Sequence, residues 1–283
     1  MSDQDWIVET SEHYKTSFKV KKRLFCGQSD FQKVEVVDTE LFGKMLFNDD
    51  LAMVSDRDEF VYHEMISHVP LFTHPNPRRV LIIGGGDGGT AREVCRHSRV
   101  EKCMMVEIDK MVVDACKEHI PSCSWDLANP KLEVLIDDGI KFVKETSEKF
   151  DLILVDSTDP IGPAEPLFGT EFYCDIYNCL SDDGIVVSQC ENPWNEMAMQ
   201  KKLVSILAGL FPIVNMYNYH NLTYPSGTWS FSIGSKKLCP KGDFQTIMYE
   251  SEKLKCKYYN SEVHLGAFAL PEFQKREIID FLK

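Results

Sequence analysis

Short apolar runs and helical patterns alternate along most of the chain. The apolar, β-rich runs occupy residues 80–83, 103–106, 132–136, 151–155 and 184–188, and helical patterns fill the gaps near 90–97, 109–119, 139–146 and 169–180. A regular alternation of strand and helix is typical of a parallel sheet with helices on both faces. We therefore predict a mostly parallel, doubly wound sheet over this part of the chain.

The pattern changes after a helix predicted near 196–210. Two strand-like runs, 213–219 and 228–234, are separated by the turn residues 224–227 with no helical pattern between them. Such a pair forms an antiparallel hairpin, which would close the parallel sheet at one edge. The predicted fold class is therefore α/β, with a Rossmann-like sheet of the methyltransferase type rather than the nicotinamide-binding type.

The first part of the chain predicts a smaller antiparallel β unit. Residues 31–37 alternate partly between apolar and polar, and Phe42-Gly43-Lys44 precedes the apolar run 45–47 like a hairpin turn. From 55 to 72 the pattern becomes helical with one apolar face, and Ser55 with Asp58 resembles a capping box. With Pro75 and Pro77 as a linker, we predict a β-rich domain at 1–55, a helix and linker at 56–79, and a Rossmann-like catalytic domain at 80–283.

Composition narrows the functional class. The net charge of −13 and the lack of a basic stripe argue against a nucleic-acid-binding protein. No stretch approaches the roughly 20 apolar residues that span a bilayer, and the acidic start does not resemble a signal peptide. The 10 cysteines include no C-x-x-C pair, which favours a reducing, cytoplasmic location and gives a structural zinc site little support.

A glycine-rich loop follows the first strand of the large sheet. Gly84, Gly86 and Gly89 fit the G-x-G-x-x-G spacing, with Gly85 and Gly88 between them, and a helical pattern follows at once. Asp87 lies inside this loop. A carboxylate there would repel a pyrophosphate at short range, so the loop suits a ligand that presents a positive charge.

Acidic residues follow four successive strands of the predicted sheet. They are Asp87, Glu107, Asp138 and the pair Asp156 and Asp159. Because ligands of open α/β sheets bind at the carboxyl ends of the strands, these acids would surround one cleft that needs cations to offset their repulsion. Glu107 lies 23 residues after Gly84, a spacing that suits hydrogen bonds to ribose hydroxyls. We predict a nucleoside bound through Glu107 and Asp138 beside a pocket for a diamine or polyamine.

Simpler structural roles exist for each of these residues. A single acid at a strand end commonly caps the next helix. Tyr62 and Tyr224 are aromatic residues, which often serve only in packing.

His63 and His68 are five residues apart, so on a helix they point about 140° away from each other and do not share a metal ion easily. We therefore predict no metal site.

Several segments together resemble the polyamine aminopropyltransferases, the family of spermidine synthase. The matching segments are residues 58–65, 84–89, 106–109, 156–164, 223–227, 258–260 and 267–271. The resemblance implies transfer of the aminopropyl group of decarboxylated S-adenosylmethionine to putrescine, giving spermidine and 5'-methylthioadenosine. It also implies a homodimer that needs no cofactor, because decarboxylated S-adenosylmethionine is a co-substrate.

The resemblance also implies roles for individual residues. Gln32 would contact the nucleoside substrate, Glu107 the ribose, and Asp138 with Gly139 the adenine. Asp87 would bind the aminopropyl ammonium, and Trp6 would wall the far end of the diamine site. The remaining implied residues line the amine pocket (Asp156, Asp159, Tyr62, Tyr224), occupy a position that is glutamine in other members (His63), or belong to a gatekeeping loop at 157–169 (Ser157, Thr158, Pro163, Ala164).

The implied chemistry needs an acceptor for one proton, and Asp156 is the candidate, either as a base or as a group that orients the amine. The alternatives are a methyltransferase that uses intact S-adenosylmethionine, an aminopropyltransferase for cadaverine or agmatine, and a catalytically silent polyamine- or nucleoside-binding protein. Spermine synthases usually carry an additional N-terminal domain, for which 283 residues leave no room. The expectation is therefore a diamine acceptor, with Trp229 able to alter the choice of acceptor.

Overall fold

The structure is a computed structural model that describes residues 6–10, 14–159 and 162–283. Two sheets organise these residues. The first is a five-stranded antiparallel sheet in the order β1-β2-β3-β4-β5, and the second has seven strands in the order β11-β12-β10-β9-β6-β7-β8. The predicted fold class is confirmed.

The small sheet comprises β1 (Trp6–Thr10), β2 (Lys15–Gln28), β3 (Lys33–Thr39), β4 (Gly43–Asn48) and β5 (Leu51–Ser55). Its central strand β3 is buried on both faces because successive side chains point to opposite sides. Val34 and Val36 pack against Val112 and Cys116 of the large domain, whereas Val37 packs with Phe47 inside the small sheet. This double burial fixes the small sheet against the large one.

The parallel part of the large sheet carries its helices on both faces. In chain order it consists of β6 (Arg79–Gly84), α2 (Gly89–Cys95), β7 (Lys102–Glu107), α3 (Lys110–His119), α4 (Pro121–Ser124), β8 (Leu132–Ile136), α5 (Gly139–Glu145), β9 (Phe150–Asp156), a 3₁₀ helix (Gly162–Phe168), α6 (Thr170–Cys179) and β10 (Leu180–Gln189). Alternate residues of each strand enter two separate cores; on β6, Val80 and Ile82 face one and Leu81 and Ile83 the other. The predicted βα order is confirmed.

The antiparallel end of the sheet also agrees with the prediction. Helix α7 (Met197–Leu210) leads into the hairpin of β11 (Ile213–His220) and β12 (Thr228–Ser235), and β12 pairs antiparallel with β10. The chain then adds α8 (Thr246–Glu252), α9 (Ser261–Ala267), α10 (Glu272–Ile278) and a 3₁₀ turn (Ile279–Phe281), which the sequence reading did not predict. Among the described residues, no helix has the length and apolarity needed to cross a membrane.

Helix α1 (Glu59–Thr73) differs from the prediction in two respects. It is buried on nearly all sides instead of presenting one apolar face, because it lies between the large sheet and the C-terminal helices. The predicted capping box is wrong: Ser55 ends β5, and the Asp58 side chain makes no capping bond to the helix. Asp58 instead accepts hydrogen bonds from the amides of Leu222 (2.5 Å) and Thr223 (3.0 Å), which ties the turn after β11 to the start of α1.

Candidate active site

A cavity of about 490 Å³ lies where the carboxyl ends of the parallel strands meet the small sheet. It brings together most of the residues singled out from the sequence: Gln32, Tyr62, His63, Gly84, Gly85, Gly86, Asp87, Glu107, Asp138, Gly139, Asp156, Ser157, Thr158, Asp159, Ala164, Tyr224 and Trp229. Trp6, Gly88 and Gly89 are not among the lining residues, and the Pro163 side chain lies outside the described part. The acids at four strand ends thus share one cleft.

The glycine loop allows β6 and β9 to approach each other at this edge. Gly84 has a φ of +83°, and a Cβ atom there would lie 2.2 Å from the carbonyl oxygen of Asp156. The next amide, that of Gly85, donates a hydrogen bond of 2.9 Å to the same oxygen. A side chain at Gly84 would therefore separate the loop from Asp156.

Glu107 is a buried carboxylate at the end of β7. Its oxygens accept hydrogen bonds from the amides of Gly86 (3.1 Å) and Asp109 (2.8 Å). Burial outweighs these bonds and raises the pKa of Glu107 to about 7. Beside it, Gln32 in the turn between β2 and β3 donates to Asp109 Oδ2 at 3.0 Å, so the small domain and the large sheet each contribute a residue to the cavity lining, Gln32 and Glu107.

Asp138 has the simple structural role as well as a place in the cavity. It is the N-cap of α5, and its Oδ1 accepts hydrogen bonds from the amides of Ile140 (2.8 Å) and Lys141 (3.4 Å). These bonds fix the carboxylate at the rim beside Gly139.

Asp87 is not an isolated carboxylate. Its Oδ1 accepts a hydrogen bond from the Gly89 amide (2.7 Å) and lies 3.2 Å from Nε2 of His63. Burial opposes ionisation, but the His63 cation holds the pKa of Asp87 below its ordinary value. The loop therefore carries an ion pair that the sequence pattern did not reveal.

Asp156 lies at the end of β9, which is flanked by β10 and β6 at the acidic edge. Thr90 Oγ1 donates to its Oδ2 at 2.7 Å, and the Tyr62 hydroxyl donates a second hydrogen bond. Burial, and after it the negative charge of Asp87, raises the pKa of Asp156 above its ordinary value. A raised pKa makes this carboxylate a better proton acceptor than a solvent-exposed aspartate would be.

A second acidic group lies at the far end of the cavity, around Asp159. Gln189 Nε2 is 3.2 Å from both Asp159 Oδ1 and Glu191 Oε1, and the two carboxyl groups hydrogen-bond each other. Burial raises the pKa of Asp159 to about 6 and that of Glu191 to about 9. Glu9 of β1 also lines this end, and burial raises its pKa to about 7. These acids favour occupation by a cationic ligand.

Sequence reasoning missed Gln189, Glu191 and Glu9. Gln189 is the last residue of β10 and Glu191 follows it, so the rule applied to the four preceding strand ends would have found them at a fifth. Glu191 has a φ of +58°, a strained conformation for a non-glycine residue of the kind often found at functional sites. Glu9 has no such signal, because only the docking of the small sheet brings it to Asp159.

Aromatic side chains form one wall of the cavity. Tyr62 and Tyr224 contact each other edge to face at 6.1 Å, and the Tyr224 hydroxyl donates to the carbonyl oxygen of Met53 at 2.6 Å. Trp229 packs on Tyr224 at 5.2 Å. The same three aromatic rings therefore both pack against one another and line the cavity.

His63 and His68 face different partners, as their spacing predicts. His68 Nδ1 lies 2.9 Å from His97, and His68 Nε2 lies 3.1 Å from Glu93. Within the described residues, Glu59, His63 and Cys123 bring possible metal ligands within 4.8 Å of one another. Both oxygens of Glu59 are already bonded to Arg92 or His63, so this group is occupied by protein cations.

Comparisons with known proteins identify the family of this chain. Residues 59–246 match the family model of the spermine/spermidine synthase domain, and residues 5–54 match that of the spermidine synthase tetramerisation domain. This chain belongs to the spermine/spermidine synthase family. The resemblance inferred from the motifs is thereby confirmed, whereas the exact domain boundaries of 1–55, 56–79 and 80–283 stay a prediction.

Curated relatives match nearly the whole length of this chain. It is 47% identical over 275 residues to the polyamine aminopropyltransferase of Alkaliphilus metalliredigens, covering 96% of this chain and 97% of the relative. It is 50% identical over 279 residues to that of Clostridioides difficile, covering 97% and 98%. The protein is therefore an enzyme of the aminopropyltransferase class.

Solved structures of spermidine synthases have the same fold. One, in complex with the transition state analogue AdoDATO, has a TM-score of 0.95 and 38% identity, covering 98% of this chain and 96% of that chain. The spermidine synthase of Thermotoga maritima has a TM-score of 0.92 and 38% identity, covering 96% and 94%. The aminopropyltransferase fold thus extends over nearly the whole chain.

Proposed function

We propose that this aminopropyltransferase is a spermidine synthase, which transfers the aminopropyl group of decarboxylated S-adenosylmethionine to putrescine. The products are spermidine and 5'-methylthioadenosine. The observation that carries the proposal is one cavity lined by Asp87, Glu107, Asp156 and the Asp159 group. The strand order β10-β9-β6-β7 places Asp156, at the end of β9, between the ends of β6 and β7 on one side and the end of β10 on the other. The solved relative with a bound transition state analogue supports a site of this kind.

The reaction is an in-line displacement. A neutral amine nitrogen attacks the carbon next to the sulfonium, the new C–N bond forms as the C–S bond breaks, and the electron pair of that bond leaves with a neutral thioether. The attacking nitrogen becomes cationic and loses a proton, which Asp156 accepts. Because the carbon is already electrophilic, alignment of the two substrates supplies much of the rate.

The two ends of the cavity have different tasks in this proposal. Glu107 and Gln32 hold the ribose side of the donor, and Asp138 with Gly139 the adenine. Asp87 receives the ammonium of the aminopropyl group; its contacts with His63 and Gly89 both use Oδ1. Asp159, with Gln189 and Glu191, receives the distant ammonium of putrescine, because this end combines several carboxyl groups.

The proposal extends to the cofactor requirement, the oligomeric state and the cellular compartment of the enzyme. We propose that the enzyme uses no metal ion or cofactor, since neither the electrophile nor the nucleophile needs one. We also propose a homodimer, and the match to a tetramerisation domain supports self-association. The 10 cysteines are all free thiols, which supports a reducing, cytoplasmic compartment.

One assay separates this proposal from the alternatives. The protein is incubated with decarboxylated S-adenosylmethionine and, in turn, putrescine, cadaverine, agmatine and spermidine, and the products are identified by mass. We expect 5'-methylthioadenosine in every productive reaction and the highest kcat/KM with putrescine. A parallel series with intact S-adenosylmethionine should give no methylated amine. No 5'-methylthioadenosine with any acceptor would refute the transferase function, and a higher kcat/KM for another amine would refute the assignment of putrescine.

A further inference from the structure

A chain of alternating buried charges leads from the interior to the cavity. The Arg92 guanidinium binds Glu59 through two bonds, Nη1 to Oε1 at 3.2 Å and Nη2 to Oε2 at 2.8 Å. Glu59 Oε2 lies 2.6 Å from Nδ1 of His63, and His63 Nε2 lies 3.2 Å from Asp87 Oδ1. Of these four residues, His63 and Asp87 line the cavity, whereas Glu59 and Arg92 lie behind them.

The His63 ring is buried and closely packed against its neighbours, which restricts its orientation. The side chain is only 3% exposed, and a Cβ atom on Gly89 would lie 2.2 Å from the ring. The absence of a side chain at Gly89 therefore admits the imidazole against the start of α2. The ring of Tyr62 also packs edge to face against the imidazole, with centroids 5.5 Å apart. This explains the last glycine of the loop without a ligand.

The partners of His63 determine its charge. Each ring nitrogen faces a carboxylate oxygen, and a neutral imidazole carries a proton on only one nitrogen, so it would turn a lone pair toward the other carboxylate. Other charged or titratable groups of the described residues also face the pair: Arg92 on α2, Cys116 on α3, Cys123 on α4, Asp156 on β9, Tyr62 on α1 and Tyr224 in the turn before β12. Burial opposes the cation, yet Asp87 and Glu59 together raise the pKa of His63 to about 10.

We propose that Glu59 and Arg92 are positioning residues for the donor site: they hold His63 as a doubly donating imidazolium that fixes Asp87 in the orientation that receives the aminopropyl ammonium. Arg92 orients Glu59 through its planar fork, Glu59 fixes the His63 ring, and His63 holds one oxygen of Asp87. The assignment of the donor rests on the proposed function, whereas the charge on His63 does not.

The same contacts would also exist if the chain of charges only joined α1 to α2. The two roles differ in what happens at Asp87. A purely structural network changes stability when it is cut, but it leaves the KM of the donor unchanged. A positioning network changes that KM and makes it depend on the protonation of His63.

The first test is Glu59→Gln, which keeps the shape of the side chain and removes its charge. We expect the KM of decarboxylated S-adenosylmethionine to rise about tenfold or more, with the KM of putrescine within about twofold of the unaltered enzyme. Because the variant His63 loses a neighbouring anion, its pKa falls. Donor affinity in the variant should therefore persist at low pH and decline as the pH rises through the lowered pKa, whereas the unaltered enzyme shows no such decline between pH 6 and 9.

The matched control is Glu93→Gln. Glu93 is a buried carboxylate that also binds Arg92 (Nε to Oε1, 2.8 Å), but its other partners within the described parts of the chain are His68 and Arg96 rather than His63 or Asp87. The Glu93→Gln substitution should lower the melting temperature of the protein but leave the KM of the donor within about twofold of that of the unaltered enzyme. An equal rise of the donor KM in both variants would overturn the positioning role.

Nitrogen NMR of histidine-labelled protein tests the charge directly. At pH 8 without substrates, we expect both ring nitrogens of His63 to be protonated in the unaltered enzyme and only one in Glu59→Gln. A neutral His63 in the unaltered enzyme overturns the inference even if the variant does not fold. A protein without transferase activity but with a cationic His63 would instead refute the proposed function and leave the charge assignment supported.

Discussion

Asp156 lines the cavity, accepts hydrogen bonds from Thr90 and Tyr62, and has a raised pKa. We expect Asp156→Asn to lower kcat about 10²- to 10⁴-fold, because an amide cannot accept the proton, while the Kd of the nucleoside donor changes little. Single-turnover rates and donor titration measure the two effects. Asp151→Asn is the matched control: it is on the same strand but binds the amides of Arg78 and Arg79, away from the cavity. Equal losses of turnover and donor binding would make Asp156 a binding or folding residue.

The pH dependence follows from the direction of the same shift. The carboxylate works only when it is ionised, and burial raises its pKa above that of an ordinary aspartate, about 3.9. We expect kcat to fall as the pH decreases through this raised pKa, and the acidic limb to disappear in Asp156→Asn. An unaltered enzyme whose kcat increases toward low pH would contradict a proton-accepting role.

Asp87 is expected to select the donor by charge. Asp87→Asn removes the anion that favours an ammonium and disfavours the carboxylate of intact S-adenosylmethionine. We therefore expect the ratio of the Kd of the intact form to the Kd of the decarboxylated form to decrease about tenfold or more. The ratio of the two Kd values measures this directly. The control is Asp137→Asn, which changes an acid at the end of another strand that is not among the residues lining the cavity. An unchanged ratio in Asp87→Asn would refute the account of the loop.

Among the elements, the turn between β11 and β12 depends on helix α1 for its position. Asp58 accepts the amides of Leu222 and Thr223 and also binds the Thr223 hydroxyl, and this turn carries Tyr224 into the cavity. We expect Asp58→Ala to lower the free energy of unfolding by about 2–4 kcal/mol, since it leaves buried donors without an acceptor. Chemical denaturation of the variant and of the unaltered enzyme measures this difference in the free energy of unfolding.

The matched surface change is Glu272→Ala, which removes an exposed ion pair with Arg276 and should alter stability by less than about 0.5 kcal/mol. A similarly small effect of Asp58→Ala would show that the turn holds its position without α1. Hydrogen exchange of the Thr223 amide should increase in Asp58→Ala only.

At the scale of the whole molecule, the cavity concentrates acids with raised pKa values. Burial raises the pKa of Glu9 to about 7 and that of Asp159 to about 6, so near pH 6 both carry protons for part of the time. A bound diammonium favours their ionised forms. We therefore expect putrescine binding at pH 6 to release protons and its affinity to increase from pH 5.5 to 7.5.

Calorimetry in buffers of different ionisation enthalpy measures the number of protons released. Glu9→Gln should reduce that number, and Glu272→Gln, on the exposed face of α10, should not. Proton uptake on binding would contradict the assignment of these acids to the amine site.

Much of the fold was predictable because its signals are local. Strand and helix order follow from the spacing of apolar residues, and the closing hairpin follows from a turn without a helix between two strands. The one-faced interpretation of α1 was wrong because its burial comes from elements distant in the chain. The predicted capping box was wrong for a related reason: the Asp58 carboxylate accepts hydrogen bonds from the amides of Leu222 and Thr223, which are more than 160 residues away in the sequence.

The sequence by itself determined the order of the elements, the glycine loop and the acids at successive strand ends, because these are properties of neighbouring residues and of the direction of each strand. Only the tertiary structure decided the charge and partners of those acids. Asp87 is paired because α1 brings His63 to it, and Glu9 meets Asp159 because the small sheet docks on the large one. Burial and close contact set ionisation, and both arise from residues that are remote in the chain.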